Sequence, residues 1–480
     1  MNKQALYRPQ PRFDVLRLPG IGRLLRWRWG RLLFQAPLFL LAALMIYDGL
    51  TGPQLATQNI ATTAAWIQYR GLIVLVLLLA GNLFCMGCPF ALPRTLATRI
   101  SRYGRRWPRF LRHKWLAIGS LFVIFWLYEW LDLWASPWLT AWLAIAYFAA
   151  AFALEAIFAE SPFCKYVCPL GSFNFVSSAI SPLQITVQSH DVCRACVGKE
   201  CVNGSDTILG CGTELFAPQV QSNMDCLFCL DCARACPHNN VLLTTRSRIK
   251  ELTTPGAWPR RWDMAFLAIV FTFASISNAF GMVPPFYTLQ TRLANWLYLT
   301  NEAVLLLLIF SAGILLLPAL VCLGAAWLSR RLSGAAGRMP LRVALTRYAP
   351  AFVPLGFAIW LAHYGFHFAT GALAIIPVSQ NFLLDHGLTW LGQTPNWQMS
   401  AILPGSWLLP LQTFIVLAGF GGSLYVTNEI GRQAHERPQT AFKAMLPWVI
   451  VFVGLALAAL ATFNLPMEMR GTVQFTPAGI

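Results

Sequence analysis

The chain has 480 residues, 57% hydrophobic and only 11% charged, a balance that excludes an ordinary soluble globular protein and is expected of an integral membrane protein. Its formal net charge of +17 raises the question of nucleic-acid binding. The distribution of that charge, taken up below, accounts for it without nucleic acid.

Residues 1–32 are a basic N-terminus, with eight Lys and Arg in 1–31. Apolar runs of spanning length, about 20 residues each, follow near 33–50, 70–93, 115–135 and 139–160. No signal peptide is read at 33–50, because the basic stretch before it is long and no A-x-A-like site follows.

This membrane region, 33–170, contains an internal repeat. Helices one and two end in Cys85-Met86-Gly87-Cys88-Pro89-Phe90, and helices three and four in Cys164-Lys165-Tyr166-Val167-Cys168-Pro169-Leu170. The i,i+3 and i,i+4 spacings put both sulfurs of a pair on one helical face, and the proline favours a break. Four thiols at one depth could ligate a third metal or cluster, form a redox-active pair, or pack as small buried hydrophobes.

Residues 171–258 have a different composition, rich in glycine, polar residues and cysteine. Eight of the thirteen cysteines fall within 44 residues, as Cys193-x2-Cys196-x4-Cys201-x9-Cys211 and Cys226-x2-Cys229-x2-Cys232-x3-Cys236-Pro237. The second run is the C-x2-C-x2-C-x3-C-P spacing of two-cluster ferredoxins, in which the fourth cysteine serves the other [4Fe–4S] cube. By that rule Cys193, Cys196, Cys201 and Cys236 hold one cluster, and Cys226, Cys229, Cys232 and Cys211 the other. Zinc sites and disulfides are the alternatives. Cluster ligation would supply the folding free energy that so small an apolar core lacks.

Residues 259–480 carry five more apolar runs, near 262–283, 302–328, 345–368, 405–429 and 443–463. The expected fold is thus an all-α polytopic membrane protein of about nine helices with a two-cluster ferredoxin-like insert. Cys322, alone in helix six, reads as packing. His363 and His367 lie at i,i+4 in helix seven, and ionisable residues in a spanning helix are candidates for function. They suit one metal ion or a quinone contact, or are interfacial histidines bonded to neighbouring helices. His386, Met399 and Met467-Glu468-Met469 add soft copper ligands in the same compartment.

Lys and Arg cluster in 1–31, 94–114, 246–261, 330–347 and 432–443, which are alternate loops. With the cysteine region, 33 of 36 basic residues fall on one side, leaving Arg70, Arg292 and Arg470 toward the other. Basic short loops stay in the cytoplasm, so the N-terminus and the insert are expected there and the C-terminus outside. A reducing cytoplasm suits free thiolates.

The twin Cys85…Cys88-Pro89 and Cys164…Cys168-Pro169-Leu170-Gly171 motifs, with the quartets ending Cys236-Pro237-His238-Asn239-Asn240, resemble those of the membrane-bound 4Fe-4S polyferredoxins: NapH, the C-terminal half of NosR, and CcoG-type proteins. The resemblance covers roughly 33–283. Cys85-x2-Cys88 departs from the family's usual C-x3-C-P. It implies a bacterial inner-membrane protein passing electrons between a quinol or cytoplasmic donor and a membrane or periplasmic partner, such as a cytochrome or reductase subunit. It equally admits delivery of electrons for metal-centre maturation. The leading expectation is an electron-transfer component, not a complete enzyme. A copper-handling assembly factor is the main rival, and an iron–sulfur redox sensor or a solute transporter are further ones.

Overall fold

The computed structural model describes residues 13–92, 97, 105–158, 161–335, 337 and 339–467. Among them, eight helices are long and apolar enough to cross a membrane. These are α1 (Gly30–Thr51), α2 (Ile60–Ala80), α4 (Pro137–Ile157), α5 (Trp262–Phe280), α7 (Glu302–Leu332), α8 (Leu341–Asp385), α9 (Gly405–Ala434) and α10 (Pro438–Phe463). Long leucine-rich stretches such as α7 leave Leu308, Leu316 and Leu320 exposed, as lipid-facing side chains would be. The chain is a helical, multi-pass membrane protein by this architecture.

The third expected helix, 115–135, is shorter than its sequence suggested. It forms α3 (Trp115–Trp130), 16 residues and so about 24 Å long, less than the roughly 30 Å of a hydrocarbon core. The turn at Leu131–Ala135, where Asp132 adopts a left-handed φ of 44°, stops it. The second expected helix, 70–93, begins ten residues earlier, at Ile60, and stops at Ala80. Gly81 takes a φ of +68° there, and a Cβ would meet the Ser181 side chain, so only glycine fits. Arg70, read from sequence as an outer-side residue, consequently lies inside α2 and is buried. An amphipathic helix, α6 (Pro284–Leu297), was not anticipated. At 14 residues it is too short to span, and Trp296 and Tyr298 at its end are exposed.

The chain forms two compact units: Met1–Leu41 with Val76–Ser120 and Tyr147–Leu267, and Ala42–Leu75 with Leu121–Ala146 and Ala268–Ile480. In the first, two strands, β1 (Leu183–Val187) and β2 (Val241–Thr245), pair antiparallel with Ile185 opposite Leu243. Both are almost wholly buried, and everything between 193 and 236 is strung between their ends. Residues 13–26 pack on this ladder rather than trail from it. Asp14 Oδ1 accepts the Leu243 N–H at 3.2 Å, and Leu16 and Leu25 join Ile185, Leu243, Phe228 and Met86 in one apolar core.

In the second unit the centre is the Phe352–Gly371 segment of α8, largely apolar apart from residues such as His363 and His367 and buried nearly all round. Gly419 of α9 makes this possible: a Cβ there would stand 2.2 Å from that of Ala358. The Trp360 indole donates to the Phe271 carbonyl of α5 at 3.0 Å, fixing the two helices in register.

Candidate metal centres

The cysteine segment has little regular structure. Three short helices, His190–Ala195, Glu200–Asn203 and Asp231–Ala235, are linked by turns. Cys196 and Cys236 terminate two of them with nearly identical backbones, φ/ψ −67/117 and −71/112. For Cys236 the following proline imposes this conformation.

Folding sorts the eight cysteines into two clefts of four. Cys193, Cys196, Cys201 and Cys236 line one, and Cys211, Cys226, Cys229 and Cys232 line the other. All thirteen cysteines are free thiols, so no disulfide framework is present. Among the described residues no three His, Cys, Asp or Glu converge tightly enough to hold a single metal ion. A zinc site draws four sulfurs to about 2.3 Å from one point, whereas a cube takes one thiolate at each of four separate corners. Each cleft is lined by four cysteines, the number of thiolates that one cube takes.

The lining is arranged for anionic sulfur. Asn240, 4% exposed, donates its Nδ2 to Cys193 Sγ at 3.0 Å and its backbone N–H to Cys236 Sγ at 3.4 Å. Its own Oδ1 is held by the Ser189 N–H. Cys211 Sγ accepts the Leu215 N–H at 3.3 Å. Beside the second cleft, Asp225, Phe228 and Leu230 all adopt left-handed φ (64°, 48°, 60°). For bulky residues such backbone is costly, on the order of 1–3 kcal/mol each, and persists where the surroundings demand it. Here it turns the N–H groups of Phe228 and Asp231 toward Cys226 and Cys229.

Without a cation, burial pushes the Cys226 and Cys232 thiols well above their ordinary range and that of Cys229 up to about 12. Burial likewise raises Cys193 and Cys201. Cys196 donates to Glu200 Oε2 at 3.3 Å.

The twin pairs come together in the same unit. Cys88 and Cys168 each end one helix and cap the next, with φ/ψ of −57/122 and −67/116 and proline at the following position. The sequence repeat is thus a repeat of conformation. Cys164 lies within electrostatic reach of Cys168, Cys88 and Cys85, and Cys85 within that of Cys88 and Cys168. The Asn174 amide donates to Cys85 Sγ and the Gly171 N–H to Cys168 Sγ, both at 3.2 Å.

Two buried cations that sequence reading missed tie these sets together. The Arg31 guanidinium pairs with Asp231 at 2.9 Å and reaches the fields of Cys229, Cys164 and Cys88. Its Nε and Nη2 are buried without a hydrogen-bond partner among the described residues, as donors awaiting negative charge would be. Lys114, 1% exposed, bonds Asp225 Oδ1 and the Lys165 carbonyl, both at 2.5 Å. It therefore joins the residue before Cys226 to the residue after Cys164. Asn82 adds a third link, donating to the Cys226 carbonyl at 2.7 Å, and Cys226 lies within reach of Cys85.

In the second unit His363 and His367 stand together, Nε2 to Nε2 at 3.1 Å, both buried. Met282 Sδ approaches His363 Nε2 at 3.3 Å. His386 is elsewhere, bonded to the Tyr47 hydroxyl and the Phe382 carbonyl. Met399 sits in a surface turn, and Glu468 and Met469 lie outside the described residues. Cys322 is fully buried in α7.

No family model, curated protein or solved structure matches this chain.

Proposed function

We propose that the chain is a membrane-bound electron-transfer protein of the polyferredoxin kind. Cys193, Cys196, Cys201 and Cys236 would hold one [4Fe–4S] cluster, and Cys211, Cys226, Cys229 and Cys232 a second. The observation that carries this reading is the sorting of eight cysteines, four and four, into two clefts across the crossed spacing. Each cluster, when bound, supplies a one-electron carrier.

The protein's own residues order the sites. The first cleft borders open surface, where Val197 is 95% exposed, so a soluble partner can approach it. The second is buried deeper and neighbours the twin pairs Cys85, Cys88, Cys164 and Cys168, which are proposed to hold a third metal or cluster or to act as a dithiol relay. Asn240, the Leu215 N–H and Asn174 donate to sulfur and lower its electron density, which raises a cluster's potential. Arg31 favours added negative charge at both inner sites. The insert is assigned to the cytoplasm of a bacterial inner membrane on the asymmetry of Lys and Arg, with a cytochrome, a reductase subunit or quinone as partner.

Iron and labile-sulfide analysis with EPR of anaerobically purified protein tests the cluster assignment: about eight irons from the two clefts of the insert and interacting reduced-cluster signals are expected, since each cube carries four irons. Zinc in place of iron would end it. An alkaline phosphatase fusion at Gly256 should be inactive and one at Ile480 active; the opposite pattern would invert the topology.

A further inference from the structure

We infer that His363, His367 and Met282 form a binding site for a single copper(I) ion. The three ligand atoms come from two elements. His363 and His367 are one turn apart on the buried segment of α8, and Met282 lies in the turn between α5 and α6. His363 Nε2 is 3.1 Å from His367 Nε2 and 3.3 Å from Met282 Sδ. His363 is 0%, Met282 1% and His367 6% exposed, so the packing of the second unit holds the cluster of donors in place.

The spacing is close to that of ligands around one ion. Metal–nitrogen bonds of about 2.0–2.1 Å and a metal–sulfur bond of about 2.3 Å place ligand atoms roughly 3.4–3.8 Å apart at tetrahedral or trigonal angles, so the donors open by a few tenths of an ångström to admit an ion. Two imidazole nitrogens facing each other share one proton at most, or one cation.

The donor set selects the metal. A thioether is a soft, neutral ligand that favours Cu(I), and imidazole accepts copper readily. Charged groups of both signs stand near the site. The Glu129 carboxylate stands beside Gly281, where a Cβ would lie 3.1 Å from its Oε1. Arg70 lies within electrostatic reach of Glu129, caged by the rings of Trp66, Tyr128 and Tyr364 at 4.6, 4.5 and 5.1 Å, and Tyr364 borders His363. With two imidazoles and a thioether all neutral, a bound ion keeps its full charge. A monovalent ion is therefore much cheaper to bury here than a divalent one.

The inference does not rest on the iron–sulfur reading, and its test reports on each separately. The full-length protein, purified anaerobically in detergent, is titrated with Cu(I) against a chromophoric Cu(I) chelator, and the bound metal is examined by X-ray absorption. One Cu(I) per chain with two nitrogen ligands and one sulfur is expected. Met282→Leu conserves volume and so preserves folding. It should remove the sulfur and weaken binding about tenfold or more, given that even outer-shell substitutions cost about 10–100-fold. The His363→Gln/His367→Gln double variant should abolish the site. Iron and labile sulfide should stay at wild-type levels in every variant. A sulfur ligand that persists in Met282→Leu would place the copper on cysteine and overturn the proposal. So would equal Cu(I) uptake by all variants, or displacement of Cu(I) by Zn(II).

Discussion

The Arg31 guanidinium and the Asp231 carboxylate stand 2.9 Å apart, with side chains only 11% and 9% exposed, although 200 residues separate them. Asp231 also holds Arg234 at 2.7 Å. Arg31 thus leans on the turn that carries Cys229 and Cys232 and lies within electrostatic reach of Cys164 and Cys88. Replacing it by Gln should lower the potential of the inner cluster by on the order of 50–100 mV, the equivalent of about 1–2 kcal/mol for one electron. Arg31→Lys should restore much of this, because charge and not shape sets the shift. EPR-monitored redox titration reads the difference, and unchanged potentials would remove Arg31 from the site.

Cys229→Ser should halve the iron content and leave the signal of the outer cluster. The apoprotein has its own signature. Burial raises the folded-state thiol above the ordinary 9.0 to about 12, so the folded state keeps its proton where the unfolded state loses it. That contribution is complete below pH 9 and disappears as pH rises through about 12. Unfolding of apoprotein should therefore become easier across this range, whereas cluster-loaded protein, with thiolates already formed, should show no such slope.

Cys88→Ser or Cys168→Ser should leave the iron of the insert intact and block reduction of a membrane partner. The two residues share one backbone conformation at equivalent junctions, so their effects should be similar. Partner reduction at wild-type rate in both variants would return the twin pairs to simple packing.

Lys114→Met removes one partner of a buried pair and strands Asp225 and the Lys165 carbonyl. A loss of about 3–5 kcal/mol is expected. Lys114→Met/Asp225→Asn should recover a large part of it, measured by thermal unfolding in detergent. Additive losses in the double variant would mean that the pair is not coupled.

Much of this protein is legible in its sequence because the responsible patterns are local. Hydropathy over about 20 residues locates the apolar helices, and eight of the thirteen cysteines already stand together within 44 residues. Cysteine before proline specifies the shared geometry of Cys88, Cys168 and Cys236 through a steric clash between neighbours. Other features depend on what the chain meets after folding. The stop at Gly81 is enforced by Ser181, a hundred residues away. Lys114 finds Asp225 across 111 positions, and Met282 reaches His363 across 81. No periodicity marks such partners, because a buried charge or a metal ligand is chosen by the packing of distant helices and not by its neighbours in the chain. Local pattern determined which groups can bind metal, and tertiary structure decided which of them stand together.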